Sequence, residues 1–394
     1  MNAATLFRVG TAKAKITPSS DMGPVYRAGY KMGEAEQLRE VIDDLYIRCL
    51  TIEKNNVRVI FLSLDLVGLF RDFTLDLAKK LSPKVKVEEL LVATTHTHSG
   101  PDTMGLWGPS LEVSGFNERY GEYLLQVSAE SVRKALNSAV PADGYSAFKE
   151  VNLGIGNYRQ ADDLNLDLWC LLFKSGNEVV GSFVSYPAQP ELTPRHDDLI
   201  SAGYPGEACK ILEKELGGTS LFLLGVCGGM EPAGCEKGYD EAHQYGQRLA
   251  EAVSKLSANA KPIRGDSLSI NMHEIELPIE NPGFQMMMEA GMIRTSQRPP
   301  TGTTSISKVS LGDVTILTIP GEAFPGIVSG IGERGKTLFL SQVNDSLGYF
   351  IPPDQFNPEP KGWEEGQHFT GHELESLGRS SGEILRRELT KLAC

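Results

Sequence analysis

Two histidines one residue apart, His96 and His98, stand where the apolar run Leu90-Leu91-Val92-Ala93 passes through Thr94-Thr95 into Ser99-Gly100-Pro101. Only seven histidines occur in the 394 residues, so a pair at the end of a strand-like run is the first place to look for chemistry. On an extended strand residues i and i+2 share a face, and both imidazoles are expected to converge on one point. Neutral imidazole is a common zinc ligand and the usual proton shuttle near neutral pH. The same pair also fits polar turn histidines held by backbone, and only distant partners separate the two readings.

Three more strand-like runs end in turns that hold a carboxylate. Asp65 follows Val57 to Leu64, Glu231 sits in Gly228-Gly229-Met230-Glu231-Pro232, and Glu322 follows Pro320-Gly321. One such ending means little, because Gly and Pro turns attract polar residues for backbone reasons. Four on one sheet edge gather two imidazoles and up to three carboxylates, which is the donor set of a catalytic zinc site or its neighbours.

The elements that must position these residues read as α/β, with mixed β-sheets and flanking helices. Residues 45–53 and 57–67 form a hairpin around Lys54-Asn55-Asn56, and 166–185 form a second around Ser175-Gly176-Asn177. Helical apolar spacing over 71–81, followed by a strand at 88–93, makes 57–94 a βαβ unit with a parallel pair. Its carboxyl edge, where ligands gather in open α/β sheets, carries His96 and His98. Helices are predicted at 117–136, ended by Pro141, at 206–215, at 239–257 and at 372–392; strands at 220–226, 267–277 and 314–319. Neither repeats nor a linker break the chain, so 1–394 is read as a single domain.

A formal charge of −13 argues against nucleic acid or an anionic membrane as the main partner. No apolar run reaches the length of a bilayer span, and the amino terminus lacks the basic and apolar regions of a secretory signal. The six cysteines are scattered with no Cys-x-x-Cys pair, which fits reduced thiols and a cytoplasmic location. A small-molecule substrate is the expected partner, without a membrane anchor; oligomeric state is not legible.

The run Ala93-Thr94-Thr95-His96-Thr97-His98-Ser99-Gly100-Pro101 resembles the signature of the neutral/alkaline, non-lysosomal ceramidases, zinc amidohydrolases that cleave the amide of an N-acyl sphingoid base. Leu64-Asp65-Leu66-Val67-Gly68, Gly156-Asn157-Tyr158-Arg159, Ser201-Ala202-Gly203-Tyr204-Pro205-Gly206, Ile319-Pro320-Gly321-Glu322 and Asn344-Asp345-Ser346-Leu347-Gly348-Tyr349 agree with it in order. The resemblance spans nearly the whole chain and covers that family's catalytic domain. It implies one zinc ion, with His96, Glu322 and Tyr349 as ligands, and His98 as a substrate-side partner that steadies charge on the attacked carbonyl. By residue type alone, Tyr349 is more often a packing residue than a ligand, and Glu322 is equally a helix amino-terminal carboxylate.

Two departures stand out. The family places another zinc-ligating histidine before a Pro or Gly, ahead of the Ile-Ser-Ala segment; here Tyr186 is read at that place, and the following loop brings Glu191 and His196 as replacements. Glu231 stands where the family has a serine, either as a general base with Arg159 nearby or as a turn glutamate bridged to Arg159 or Arg48. The expected activity is therefore metal-dependent hydrolysis of an amide or related carbonyl bond, with His98, Glu231 and Arg159 catalytic and His96, Glu322, Tyr349 and His196 on the metal. A binding protein that has lost the metal site, and a metal-dependent lyase or isomerase, are the alternatives. His368 and His372 at i, i+4 spacing read as a loop entering the last helix, because Gly371 interrupts them.

Overall fold

The computed structural model describes residues 6–30, 32–359 and 371–394; His368, in the loop read between Gly348 and Gly371, lies outside them. One long sheet holds β1 (Leu6–Lys15), β2 (Tyr46–Lys54), β3 (Val57–Leu64), β4 (Leu90–Thr94), β5 (Val140–Glu150), β6 (Asp167–Ser175), β7 (Glu178–Tyr186) and β8 (Thr219–Leu224). Their spatial order is β8-β7-β6-β5-β1-β2-β3-β4, and Lys261–Pro262 adds a ninth, short strand on β5. The outer pairs β7–β8 and β3–β4 are parallel, and those between are antiparallel. Asn55 and Asn56 make the two-residue hairpin turn, with φ of 50° and 64°. This primed turn matches strand twist, and asparagine tolerates it.

A second sheet consists of β9 (Leu268–Pro278), β10 (Thr301–Leu311), β11 (Val314–Thr318) and β12 (Thr337–Leu340), with only β11–β12 parallel. The alternation of apolar residues explains how the layers meet. Val59 and Phe61 of β3 share a core with Val309, Leu311 and Val314, whereas Ile60, Leu62 and Leu64 face α1 (Arg71–Leu81) and α2 (Glu118–Asn137). Along β6, Trp169, Leu171 and Phe173 enter the inter-sheet core, and Leu168, Cys170 and Leu172 pack with α3 (Gly203–Leu216) and α4 (Tyr239–Ser257). Strands buried on both faces read as continuous apolar runs, and each large side chain so buried stabilises by ~1.5–3 kcal/mol. The far side of the second sheet carries α5 (Pro282–Glu289) and α6 (Arg379–Ala393), through Leu277, Ile306 and Leu317 against Phe284, Met288, Leu385 and Leu389.

The long sheet curls until β8 meets β3, where the Ser63 hydroxyl donates to Phe222 O at 2.5 Å. The segment after β12 then ties two strand ends together. Ser341 N donates to Leu224 O at 2.8 Å, Thr94 N donates to Gln342 O at 3.3 Å, and the Asn344 side chain bonds Val92 N and Leu90 O. The turns after β4, β8 and β11 are drawn into one region by these bonds.

Some local expectations need correction. β1 and β5 are central strands that the sequence pattern did not yield. Pro141 does not stop a helix; α2 ends at Asn137, and Pro141 is the second residue of β5. The last helix starts at Arg379, after a separate 3-10 turn over His372–Glu375. No helix among the described residues is long and apolar enough to cross a membrane.

Candidate active site

His96 follows β4 by two residues and has a left-handed backbone, φ 66°. Such a conformation is strained for a residue with a Cβ and persists where its surroundings impose it. Here His96 N donates to Leu66 O at 2.9 Å and Nδ1–H donates to Val67 O at 2.5 Å. With that proton held on Nδ1, Nε2 offers a lone pair whenever the ring is neutral, the arrangement of a metal-ligating histidine. That nitrogen lies 3.4 Å from Glu322 Oε1 and 3.4 Å from His98 Nε2. The histidines do converge, but the turn at His96 brings them together rather than strand alternation, since β4 has already ended.

Glu322 and Tyr349 are neighbours in a two-residue parallel ladder, 322–323 with 349–350, and the Tyr349 phenol hydrogen-bonds the Glu322 carboxylate. Burial opposes the charge on Glu322, but His96 and the donors Gln189 and Tyr349 outweigh it, so its pKa is lowered and the group stays ionised. His96 is the reciprocal case: burial works against its cation, Glu322 prevails, and its pKa is raised. The Tyr349 phenol is driven far up by burial and then by Glu322. Its ring packs edge-on against His372, with centroids 4.6 Å apart.

His98 behaves differently. Burial, then the nearby charges of His96, Arg27 and Arg195, push its pKa well down and keep it neutral. The wholly buried Arg27 holds its loop by donating to His98 O, Ser99 Oγ and Pro194 O. A Cβ on Gly29, whose φ is 104°, would sit 2.4 Å from His98 Cγ, so only glycine leaves room for the ring there.

These groups line one cavity of about 560 Å³. One wall is polar, with His96, His98, Glu191, Glu231, Glu322 and Tyr349; the other is apolar, with Met32, Met104, Leu106, Trp107, Phe284 and Met287. Glu191 Oε1 lies 3.8 Å from His98 Nε2. Its pKa is raised well above the ordinary value by burial and then by Glu231 and Glu322. Glu231 is raised too, again by burial, although the Cys235 thiol donates to Oε2 at 2.9 Å and tempers the shift. Glu375, also on this wall, is pushed up to about 7 by loss of solvent and then by Glu322.

Five sequence expectations are revised. His196 is at the surface, with its ring half exposed and Nδ1 2.9 Å from Glu36 Oε1, so it does not complete a metal site. Tyr186 points into the core between β7 and the helices, where its hydroxyl donates to Val151 O at 2.8 Å. The residue that precedes a proline and reaches the centre is Gln189: fully buried, it donates from Nε2 to Glu322 Oε2 at 2.5 Å. Arg159 does not line the cavity; it pairs with Glu373, donates to Gln355 O and lies 5.4 Å over the Phe324 ring. Glu231 therefore bridges neither Arg159 nor Arg48, the latter being engaged by Asp65 and Glu213. His372, read as a loop residue, lines the cavity and has its pKa lowered to about 4 by burial and then by Arg159. Gln189, Glu375 and Tyr30, whose ring lies 5.0 Å from that of His98 in the cavity lining, carried no sequence signal of their own.

Among the described residues no three His, Cys, Asp or Glu side chains form a ready metal cluster. The centre has two such residues, His96 and Glu322, and both the Tyr349 phenol and the Gln189 amide hydrogen-bond Glu322. Gln189 Oε1 is buried with no hydrogen-bond donor. An imidazole, a carboxylate and a phenol are donor types that a divalent cation accepts, and the imidazole expected near Glu322 is an amide instead.

No family profile matches the chain, and no curated protein sequence does. Two solved structures are similar along nearly its full length. One, described as a ceramidase complexed with C2, has a TM-score of 0.77 at 16% identity and covers 98% of this chain and 74% of its own. The other, neutral ceramidase from Pseudomonas aeruginosa, has a TM-score of 0.75 at 16% identity with the same coverage. What this likeness shows is the architecture: the chain has a neutral-ceramidase-like fold.

Proposed function

We propose that this chain hydrolyses an amide or related carbonyl bond of a small N-acylated substrate, with His96, Glu322 and Tyr349 holding a divalent metal ion. The observation that carries the reading is the meeting of His96 Nε2, Glu322 and Tyr349 in a cavity that also holds a neutral imidazole and two carboxyls whose pKa values burial raises to different extents. A metal ion bound there supplies a hydroxide-like water and polarises the carbonyl. The chain's own groups do the rest. Glu231, the less perturbed of the two carboxyls, accepts the proton from water; Glu191, which keeps its proton to higher pH, donates to the leaving amine. His98 stays neutral and gives an N–H to the carbonyl oxygen as negative charge develops on it. The wall of Met104, Leu106, Trp107 and Met287 accepts the acyl part.

The test is turnover of N-acyl amides, esters and lactones by protein supplied with divalent metal, alongside His96→Ala and His98→Ala. Hydrolysis of N-acyl amides is expected, abolished by the first change and cut about 10²–10³-fold in kcat by the second. Failure on all three substrate classes, with metal bound, would turn the reading toward a lyase or isomerase on the same fold.

A further inference from the structure

We propose that Gln342 is a positioning residue for His96: its side-chain carbonyl shares the Nδ1 proton with Val67 O and so fixes which ring nitrogen faces Glu322 and His98. This role rests on the reading above, in which His96 Nε2 stands at the centre. Among the described residues, six other than glycine have left-handed backbones. Three of them are Asn55, Asn56 and Asn344, and asparagine tolerates that conformation. The other three, His96 at 66°, Glu236 at 62° and Gln342 at 56°, all line the cavity. Strain of this kind persists where the surroundings impose it, and it gathers at functional sites.

The backbone of Gln342 is tied to both elements that carry the centre. Its N–H donates to Gly321 O at 3.1 Å, one residue before Glu322, and its carbonyl accepts from Thr94 N at 3.3 Å, two residues before His96. The side chain, in a residue only 2% exposed, then meets the His96 ring, and one end of the amide lies 3.3 Å from Nδ1. The oxygen and nitrogen ends of an amide have nearly the same shape and are told apart by their partners. Nδ1 carries the proton given to Val67 O at 2.5 Å, so an NH₂ end there would set donor against donor and leave Oε1 buried without a partner. With the carbonyl end toward the ring, Nδ1–H gains a second acceptor and Oε1 is satisfied. The NH₂ end takes the place where no donor had reached Oε1. The proton then stays on Nδ1, and Nε2 is the nitrogen left for Glu322 and His98.

The experiment is 1H–15N NMR of the imidazoles in chelator-stripped, 15N-histidine-labelled protein, held alkaline enough for a neutral His96 ring. Wild type, Gln342→Leu and Gln342→Glu are compared, with kcat and KM for N-acyl amide hydrolysis measured alongside. Expected is the Nδ1–H tautomer in wild type, retained in Gln342→Glu, which keeps an acceptor, and joined by the Nε2–H form in Gln342→Leu. The kcat of Gln342→Leu should fall about 10–100-fold with KM within about twofold of wild type, and Gln342→Glu should restore part of the loss. An Nε2–H tautomer in wild type overturns the inference, because the NH₂ end then faces a bare Nδ1, and that result needs no variant to fold. A folded Gln342→Leu protein with wild-type tautomer and wild-type kcat overturns it as well. Absence of turnover, with an Nδ1–H tautomer that depends on Gln342, overturns the hydrolase reading and leaves this inference standing.

Discussion

Two kinds of buried carboxyl sit within the same region of this molecule, and they differ in what surrounds them. Asp102 accepts from Met104 N and Gly105 N on Oδ1 and from Trp107 N on Oδ2, at 2.8, 2.9 and 2.8 Å. Asp345 accepts from Arg71 N and Ser346 N, and from the Thr304 hydroxyl. Both are staples: they fix the backbone that presents Met104, Trp107 and Ser346 to the cavity. Glu231 has a single thiol donor, and Glu191 has the His98 ring at 3.8 Å. A buried carboxyl encircled by N–H groups is architecture. One that has lost solvent without gaining such donors is left for a ligand; the donors mark the difference, since burial raises the pKa of both kinds, Asp102 to about 6 and Asp345 to about 7.

Glu231→Gln is the strongest way to break the comparison. It keeps the shape and removes the base, so kcat should fall about 10²–10⁴-fold while thermal stability stays within about 1 kcal/mol of wild type. A melting shift as large as the activity loss would place Glu231 among the staples. Asp102→Ala should do the reverse: three buried N–H groups lose their acceptor, and the protein should be destabilised by about 3 kcal/mol or more in denaturant titration. Little change there would mean that water replaces the carboxylate and that the contrast is false.

Asp345 sharpens the contrast through pH. Burial raises its pKa from 3.8 to about 7, with the hydrogen bonds opposing the rise. The folded state then binds more protons than the unfolded state across that window, so this group's stabilising contribution is full below pH 3.8 and is lost as pH rises toward 7. Asp345→Asn should therefore flatten the fall in stability over that range, and denaturant midpoints measured across it should converge with or exceed wild type at the alkaline end. A variant that follows the wild-type slope would assign the pH dependence to other groups.

The sequence showed the centre more clearly than its supports. His96 and His98 were visible because imidazoles are rare here and the run before them is plainly a strand. The hairpin at Asn55-Asn56 and α4 were legible from turn chemistry and periodicity, forces that act locally. β1 and β5 were not, because their polar and small residues, such as Thr11, Lys13, Gly144 and Ser146, break the apolar pattern, and pairing within the long sheet overrides local preference. Asp65 looked like a site residue because it ends β3, yet it bonds Tyr46 N and Arg48 and belongs with the staples. Gln189 was missed because an amide carries no metal signal of its own. Only the end of β7 at Tyr186, which turns that side chain into the helix-facing core, shows that the residue at the centre lies three positions later.

His196 gives the smallest expected effect and the cleanest separation of sequence from geometry. Its ring is about half exposed, and its partner Glu36 is also partly solvated. An exposed pair of this kind contributes between zero and about 1 kcal/mol, because solvent screens the charges and two side chains must be ordered to make it. His196→Ala should leave metal stoichiometry and kcat unchanged and shift stability by no more than that. A loss of bound metal would require the 190s loop to fold inward over the cavity, carrying Glu191 and Arg195 with it. That movement would break the Arg195–Glu236 pair and the Arg27 contact to Pro194 O, so Arg27→Lys would ease it and strengthen metal binding. If His196→Ala is silent and Glu231→Gln is not, what separates the two residues is the surroundings of each side chain, since both residue types are able to serve such a site.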